Sequence, residues 1–296
     1  KEDSMQIVFS DIDGTFQEMG QPVPEINKTA INYLKAQGDH FVFVTGRGYD
    51  LVEALMIEEG ISCDVIFGNG AGLKLEGQAP VLANCLPLAT LEAVTAILEK
   101  ENVFYFLHTD QGVICKDPAD YQEQLTALTN KLITDLGERG AMIAEYKQAY
   151  FVHDCIHAPD LLAYIQERPT INVLKIELME ASDEKIEQLR LLLQTEPVSA
   201  FQSFVQTLEV VDPLATKGAA ITNFMQAFPH AKSFGIGDGE NDLAMFEVVD
   251  VSVAVANASE SIRNVCDRMI PSAADGGVGQ FIMDELIRED VVYEID

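Results

Sequence analysis

Three short apolar runs, at residues 7–9, 41–44 and 65–67, are separated from one another by helical patterns, and this alternation constrains the fold more than any other feature. The run Phe41-Val42-Phe43-Val44 is apolar at every position rather than at every second one. That is the pattern of a strand buried on both faces, as in a parallel sheet covered by helices. A helix is expected over 24–37, with Pro24 near its start, Ile26, Ala30, Ile31 and Leu34 on one face, and Gly38 just past its end. A second is expected over 49–59, stopped by Gly60. A βαβαβ order of this kind implies right-handed crossovers and a doubly wound sheet, with chemistry at the C-terminal ends of the strands.

The middle of the chain reads differently. A helix is expected over 88–100, strands over 103–108 and 112–115 joined by a tight turn at 110–112, and a helix over 121–136. Strands follow over 151–156 and 173–179, then a helix over 183–193 with Ser182 as its N-cap, and a hairpin over 198–204 and 207–211. Paired strands mixed with helices argue for a separate α+β unit. After Pro213 the first pattern returns, with helices over 217–227, 242–248 and 260–265 and strands over 233–236, 251–255 and 269–270. The expectation is a Rossmann-like α/β core, residues 1–81 and 210–296, interrupted by an inserted α+β domain at 82–209. A chain of 296 residues with 48% apolar composition is long enough for both.

The formal net charge of -29 excludes nucleic acid and anionic lipid as natural partners. It also repels phosphorylated metabolites, so an anionic substrate would need a locally positive site. No apolar run approaches the roughly 18–20 residues that cross a bilayer, and the polar start of the chain shows no leader pattern. Five cysteines (Cys63, Cys85, Cys115, Cys155 and Cys266) lack paired spacing. Reduced thiols and a cytoplasmic location are therefore expected, for a monomer or homodimer.

Four polar clusters fall where strands of the core should end. The first strand runs into Asp11-Ile12-Asp13-Gly14-Thr15. Residues two apart on an extended chain share a face, so Asp11 and Asp13 can converge. Two close carboxylates repel unless a cation lies between them or one is protonated, which suggests Mg²⁺, an acyl-phosphate nucleophile, or both. Thr45-Gly46-Arg47 follows the second strand, where a hydroxyl and free backbone N–H groups can bind a phosphate oxygen. Thr216-Lys217-Gly218 opens a helix after the insertion and offers a cation for phosphate and for a nucleophilic carboxylate. The run from Gly235 to Asp242 is glycine-rich and carries Asp238, Glu240, Asn241 and Asp242, a composition that suits Mg²⁺. Each cluster taken alone could be an ordinary turn or a solvated helix start. Their joint placement at successive strand ends argues otherwise.

In order and wording these clusters resemble the haloacid dehalogenase-like phosphatases, in particular the Cof-type branch with a large type IIB cap. The likeness covers nearly the whole chain. Asp11 to Thr15 matches D-x-D-G-T, Thr45 and Lys217 match the second and third motifs, and Gly237 to Asp242 matches G-D-x-x-N-D. Asn69-Gly70-Ala71 is similar to the loop that precedes the cap. Phe16 stands where the branch usually has leucine, and stays apolar. The resemblance implies a phosphatase in which Asp11 forms an aspartyl-phosphate and Asp13 serves as acid and then base. It implies that Thr45, Gly46, Lys217 and Asn241 hold the phosphoryl group. Mg²⁺ would be bound by Asp11, the Asp13 backbone carbonyl and Asp238, with Asp242 supporting Lys217 or the metal waters. The substrate would be a small phosphate ester, sugar phosphates first, selected by a cap whose closure excludes water. A phosphomutase of the same superfamily and a non-catalytic phosphometabolite sensor are the alternatives. A response-regulator receiver domain would be far shorter and would lack the insertion.

Three features stand outside this set. His153, Cys155 and His157 would share one face of an expected strand, which is zinc-ligand chemistry. Side chains at i, i+2 and i+4 rarely close a tetrahedral site, so a cap strand with one polar face is the plainer reading. The segment from Ala274 to Val278 matches the family's closing segment and reads as a turn. Arg47 reads equally as an entrance residue or a solvated one.

Overall fold

The computed structural model describes residues 5–287 and divides into two compact units, one running to Ala83 and resuming at Ala215, the other spanning Asn84–Leu214. These borders lie a few residues from 81/82 and 209/210, and strand pairing gives the reason. Val81–Leu82 pairs within the first unit's sheet, whereas Thr207–Val211 pairs within the second's.

The first unit opens with β1 (Gln6–Ser10), α1 (Glu25–Ala36), β2 (His40–Val44), α2 (Tyr49–Glu59) and β3 (Asp64–Phe67), followed by β4 (Gly72–Lys74) and β5 (Val81–Leu82). Val8, Phe41, Phe43, Val65 and Phe67 pack into one cluster with Ile31 and Leu34 of α1 and Val52 and Leu55 of α2. Ile7, Phe9, Val42, Val44 and Ile66 pack into another on the opposite face. Alternate residues of each strand therefore enter different cores, which is why the runs are apolar throughout. Gly60 ends α2 in the left-handed conformation that a C-terminal glycine takes at little cost.

The second unit contains α3 (Leu88–Lys100), β6 (Phe104–Thr109), β7 (Gly112–Cys115), α4 (Gln122–Leu136), α5 (Glu138–His153), β8 (Ile156–His157), α6 (Leu161–Gln166), β9 (Val173–Met179), α7 (Asp183–Leu193), β10 (Ser199–Phe201) and β11 (Thr207–Val211). Its sheet has the order β10-β11-β9-β6-β7-β8 and is antiparallel except for the β7–β8 pair. Tyr105, Leu107, Ile176 and Leu178 face a core built with α3, α6 and α7. Phe104, Phe106, Cys115 and Met179 face a core built with α4 and α5. On this second face, past the aromatic residues, Lys175 bonds Glu209 at 2.7 Å, and Glu177 contacts His108 at 3.0 Å, Lys175 at 3.4 Å and Lys147 at 3.6 Å.

One expected strand is absent. Residues 151–153 are the last turn of α5, Asp154 caps that helix, and only Ile156 and His157 are extended. Phe151 is buried while Val152 is exposed, an alternation that a strand would show equally. Being helical, His153 leaves the face that Cys155 and His157 were expected to share with it. The helix depends on Gly140, where a Cβ would lie 1.9 Å from the Leu132 carbonyl oxygen of α4.

The first unit resumes with α8 (Lys217–Met225), β12 (Lys232–Gly237), α9 (Leu243–Phe246), β13 (Val251–Val255), α10 (Glu260–Arg263), β14 (Arg268–Ile270) and α11 (Gly277–Phe281). The sheet order is β14-β13-β12-β1-β2-β3-β4-β5, parallel from β14 to β3 and antiparallel in its last two pairings. This is a mixed α/β core of the expected class, with β1 at the centre. Ser272–Asp275 forms a turn, and Gly276, with φ +73°, leads into α11. Among the described residues no helix is long and apolar enough to cross a membrane.

Asn27 joins three segments of this unit. It is fully buried, donates to the Phe16 carbonyl at 2.8 Å and accepts from the Gly279 N–H at 2.7 Å. Asn27→Ala strands two buried backbone groups and is expected to lower unfolding free energy by on the order of 3 kcal/mol. Denaturant unfolding measures this, and a loss under about 0.5 kcal/mol, the range of ordinary surface substitutions, would contradict the assignment.

Candidate active site

β1 and β12 are neighbours, and their C-terminal ends bring Asp11 and Asp238 together; the Asp11 N–H itself donates to Ile236. α8 begins beside them. Thr216 caps it, accepting from the Ala219 N–H, and Lys217 is its first residue. Lys217 Nζ lies 2.5 Å from Asp11 Oδ1 and 2.6 Å from Asp242 Oδ1, and its side chain is completely buried. The other Asp242 oxygen accepts the backbone N–H groups of Asp238 and Gly239 at 2.9 and 3.0 Å. Asp242 is thus fully engaged, and it fixes both the loop and the lysine.

One oxygen from each of Asp11, Asp238 and Asp242 lies within 4.8 Å of the other two, and no other such acidic, histidine or cysteine group occurs among the described residues. Asp238 accepts from the Thr15 hydroxyl at 2.9 Å. Gly14, with φ +81°, allows the turn: a Cβ there would sit 2.5 Å from an Asp238 carboxylate oxygen.

The electrostatics follow from this crowding. Burial pushes Asp11 well above the usual carboxylate range, and the charges of Asp242, Asp238 and Asp13 add to that, with Lys217 opposing. Burial and then Asp242 push Asp238 up to about 7, against the Thr15 hydrogen bond and Lys217. Burial works against the charge of Lys217, but Asp11 and Asp242 outweigh it and hold the ammonium above the ordinary lysine value. Three carboxylates facing one ammonium leave the cluster with excess negative charge. An oxygen donor set of this kind fits a divalent cation of the Mg²⁺ type.

Asp13 lies apart from this carboxylate group. Its two oxygens are held by Arg47, at 2.8 Å from Nε and 2.6 Å from Nη2, in a two-pronged ion pair. Thr45 is buried, and its hydroxyl oxygen accepts the Arg47 N–H at 3.1 Å. Gly46 lies under the Asn69 amide, 3.2 Å from where its Cβ would be. Asn241 Nδ2 is 3.5 Å from Asn69 Oδ1, so the expected phosphate-binding residues Gly46 and Asn241 meet at Asn69. The sequence placed Asn69 in the loop that precedes the cap without assigning it a contact, and gave no sign of the Arg47–Asp13 pair. Asn69 did carry a signal, because asparagine between glycines is suited to positive φ, and it has φ 59°.

The model of the haloacid dehalogenase-like hydrolase family matches residues 8–282. The chain is 23% identical to the 5-amino-6-(5-phospho-D-ribitylamino)uracil phosphatase YwtE of Bacillus subtilis, over 96% of this chain and 98% of that protein. Among solved structures, a haloacid dehalogenase-like hydrolase from B. subtilis superposes with a TM-score of 0.83 at 20% identity, covering 95% of this chain and all of the other. The subclass IIB sugar phosphatase BT4131 superposes with a TM-score of 0.73 at 17% identity, covering 96% and 100%. These likenesses establish the shared fold. Through the family match, which takes in all four motif clusters, the chain belongs to the haloacid dehalogenase-like hydrolases, in their Cof-type phosphatase branch.

Proposed function

We propose that this chain is a Mg²⁺-dependent phosphatase of small phosphorylated metabolites, sugar phosphates first, that works through an aspartyl-phosphate on Asp11. The observation that carries the reading is the group of three carboxylates, two of them buried, gathered beside Lys217. Sugar phosphates lead because a sugar phosphatase and a phosphoribityl phosphatase are among the relatives.

In this mechanism Asp11 and Asp238, with the Asp13 backbone carbonyl, would hold the cation, and Asp242 would orient them. The bound cation supplies charge neutralisation for the carboxylates and for the phosphoryl oxygens. Lys217 opposes the burial that favours the protonated Asp11 and aligns its carboxylate, which the bound cation would help to ionise, so that one oxygen can attack phosphorus. Lys217, the Thr45 hydroxyl, Gly46 and Asn241 receive the phosphoryl oxygens. Asp13 donates a proton to the leaving oxygen as the P–O bond breaks. It then takes a proton from the water that attacks phosphorus and frees Asp11. Both oxygens of Asp13 are engaged by Arg47, so proton delivery requires at least one to turn away.

Asp11→Asn is expected to lower turnover on the order of 10⁴-fold or more while leaving the melting temperature within a few degrees. Phosphate release from a panel of sugar, nucleotide and cofactor phosphates measures this. Activity retained by the variant overturns the mechanism, and a wild type that prefers nucleotides overturns the substrate class alone.

Asp13→Ala is expected to cost on the order of 10²–10⁴-fold on an alkyl phosphate. In the single-turnover phosphoryl-transfer step with p-nitrophenyl phosphate, whose leaving group needs no proton, the loss should be about tenfold or less. Equal losses in that step on both substrates would remove Asp13 from the role of leaving-group acid.

EDTA should abolish phosphate release and Mg²⁺ should restore it. Because burial and Asp242 push Asp238 up to about 7, protons are expected to compete with the metal below that pH. Apparent Mg²⁺ affinity is expected to fall by about tenfold per pH unit there. Isothermal titration between pH 5.5 and 8 tests the slope, and a flat profile contradicts it.

A further inference from the structure

We propose that Asn257 is a positioning residue for the cation site, holding the turn after β1 in the shape that presents the Asp13 carbonyl. The inference rests on the reading of Asp11, the Asp13 carbonyl and Asp238 as the Mg²⁺ ligands. Asn257 lies in the loop after β13, outside the four motif clusters. Its side-chain amide makes two bonds. Nδ2 donates to the Gly14 carbonyl at 2.7 Å, and Oδ1 accepts the Ala273 N–H at 2.9 Å. A carbonyl only accepts and a backbone N–H only donates, so the two partners fix which way the amide faces. In the sheet, β12 lies between β1 and β13. The bond to Gly14 therefore spans the end of the strand that leads into Asp238.

Gly14 is where such a bond has leverage. The Gly14 N–H donates to the Gln17 carbonyl at 2.8 Å. In a trans peptide the N–H and C=O point opposite ways, so this bond turns the Asp13 carbonyl away from Gln17. The Gly14 carbonyl belongs to the next peptide plane, which it shares with the Thr15 N–H. That plane is held by Asn257 at 2.7 Å and, less closely, by the Thr15 N–H donating to Ile12 at 3.3 Å. Thr15 then gives its hydroxyl to Asp238 at 2.9 Å. Glycine has no Cβ to restrict the torsions between the two planes. These bonds, rather than a side chain at position 14, set the angle between the Asp13 carbonyl and the segment that reaches Asp238.

A second asparagine repeats the device with a different outcome. Asn27 donates to the Phe16 carbonyl and accepts the Gly279 N–H, so the two asparagines tie alternate carbonyls of one turn to the segment 273–279. Asn27 is fully buried and serves groups that water does not reach. Asn257 is exposed. Water can replace its bonds in energy but not in direction, so its contribution is to geometry more than to stability.

Isothermal titration of the full chain with Mg²⁺ tests this. Asn257→Ala is expected to weaken Mg²⁺ binding by about three- to tenfold, the worth of one net hydrogen bond. The melting temperature of the metal-free protein should stay within about 3 °C of wild type. Excess Mg²⁺ should restore turnover to within about twofold. Asn257→Gln, which keeps the amide on a longer arm, should bind Mg²⁺ more tightly than the alanine variant. Ser272→Ala loosens the turn that follows β14, where its hydroxyl bonds Asp275 at 2.6 Å, and should leave Mg²⁺ affinity within about twofold. Wild-type affinity in Asn257→Ala overturns the proposal and leaves the cation site standing. An equal loss in Ser272→Ala overturns it as well, and an Asn257→Ala chain that unfolds assigns the residue to stability instead. A wild type that takes up no Mg²⁺ overturns the cation reading itself, and this inference with it.

Discussion

The bond from Lys217 to Asp11 and Asp242 is the interaction on which the catalytic unit depends. It ties the end of β1 to the start of α8 and to the loop after β12, joining Lys217 to partners 206 and 25 residues away in sequence. A buried ammonium is costly to hold unless its partners are close and themselves satisfied. Asp242 meets that condition with two backbone N–H groups, and Asp11 is fixed by the central strand that carries it. The same bonds that make the lysine tolerable therefore set the spacing of the carboxylates around it.

Close backbone approach makes the arrangement possible. A Cβ at Gly218 would lie 2.0 Å from the Ala244 carbonyl oxygen, so glycine lets α8 and α9 meet directly behind Lys217. The glycines around the site thus follow from the motif's geometry as much as its charged residues do.

The parallel sheet was legible in the sequence because both of its faces are buried, which turns each strand into an uninterrupted apolar run. The carboxylates and Lys217 were legible for a related reason: a doubly wound sheet collects polar residues at its strand ends, so linear position predicts spatial convergence. The failures have the opposite cause. Helix α5 is amphipathic only weakly and carries Gly140, whose role is to let Leu132 of another helix approach. Nothing local announces that. The antiparallel extension by β4 and β5 consists of two short strands with no strong alternation. Arg47 gave no sign of pairing with Asp13, because the two are supplied by different elements.

Two clusters of buried charge distinguish the units, and charge balance separates their meaning. In the inserted unit, Glu177 and Glu209 are matched by Lys175 and Lys147, with His108 bonded to Glu177. Burial alone would raise the Glu177 carboxyl, yet the surrounding lysines and the histidine carry it well below its usual range. His108 itself is lowered, by burial first and Lys175 next, so it tends to the neutral form and leaves the count even. Such a network is complete without a ligand. In the catalytic unit three carboxylates answer one lysine, and Asp11 and Asp238 are driven upward instead. Burial is common to both, so burial alone does not mark a site. The uncompensated negative charge does, since a fold that holds it in place requires a cation to complete it, and with that cation a chain of net charge -29 can receive an anionic substrate.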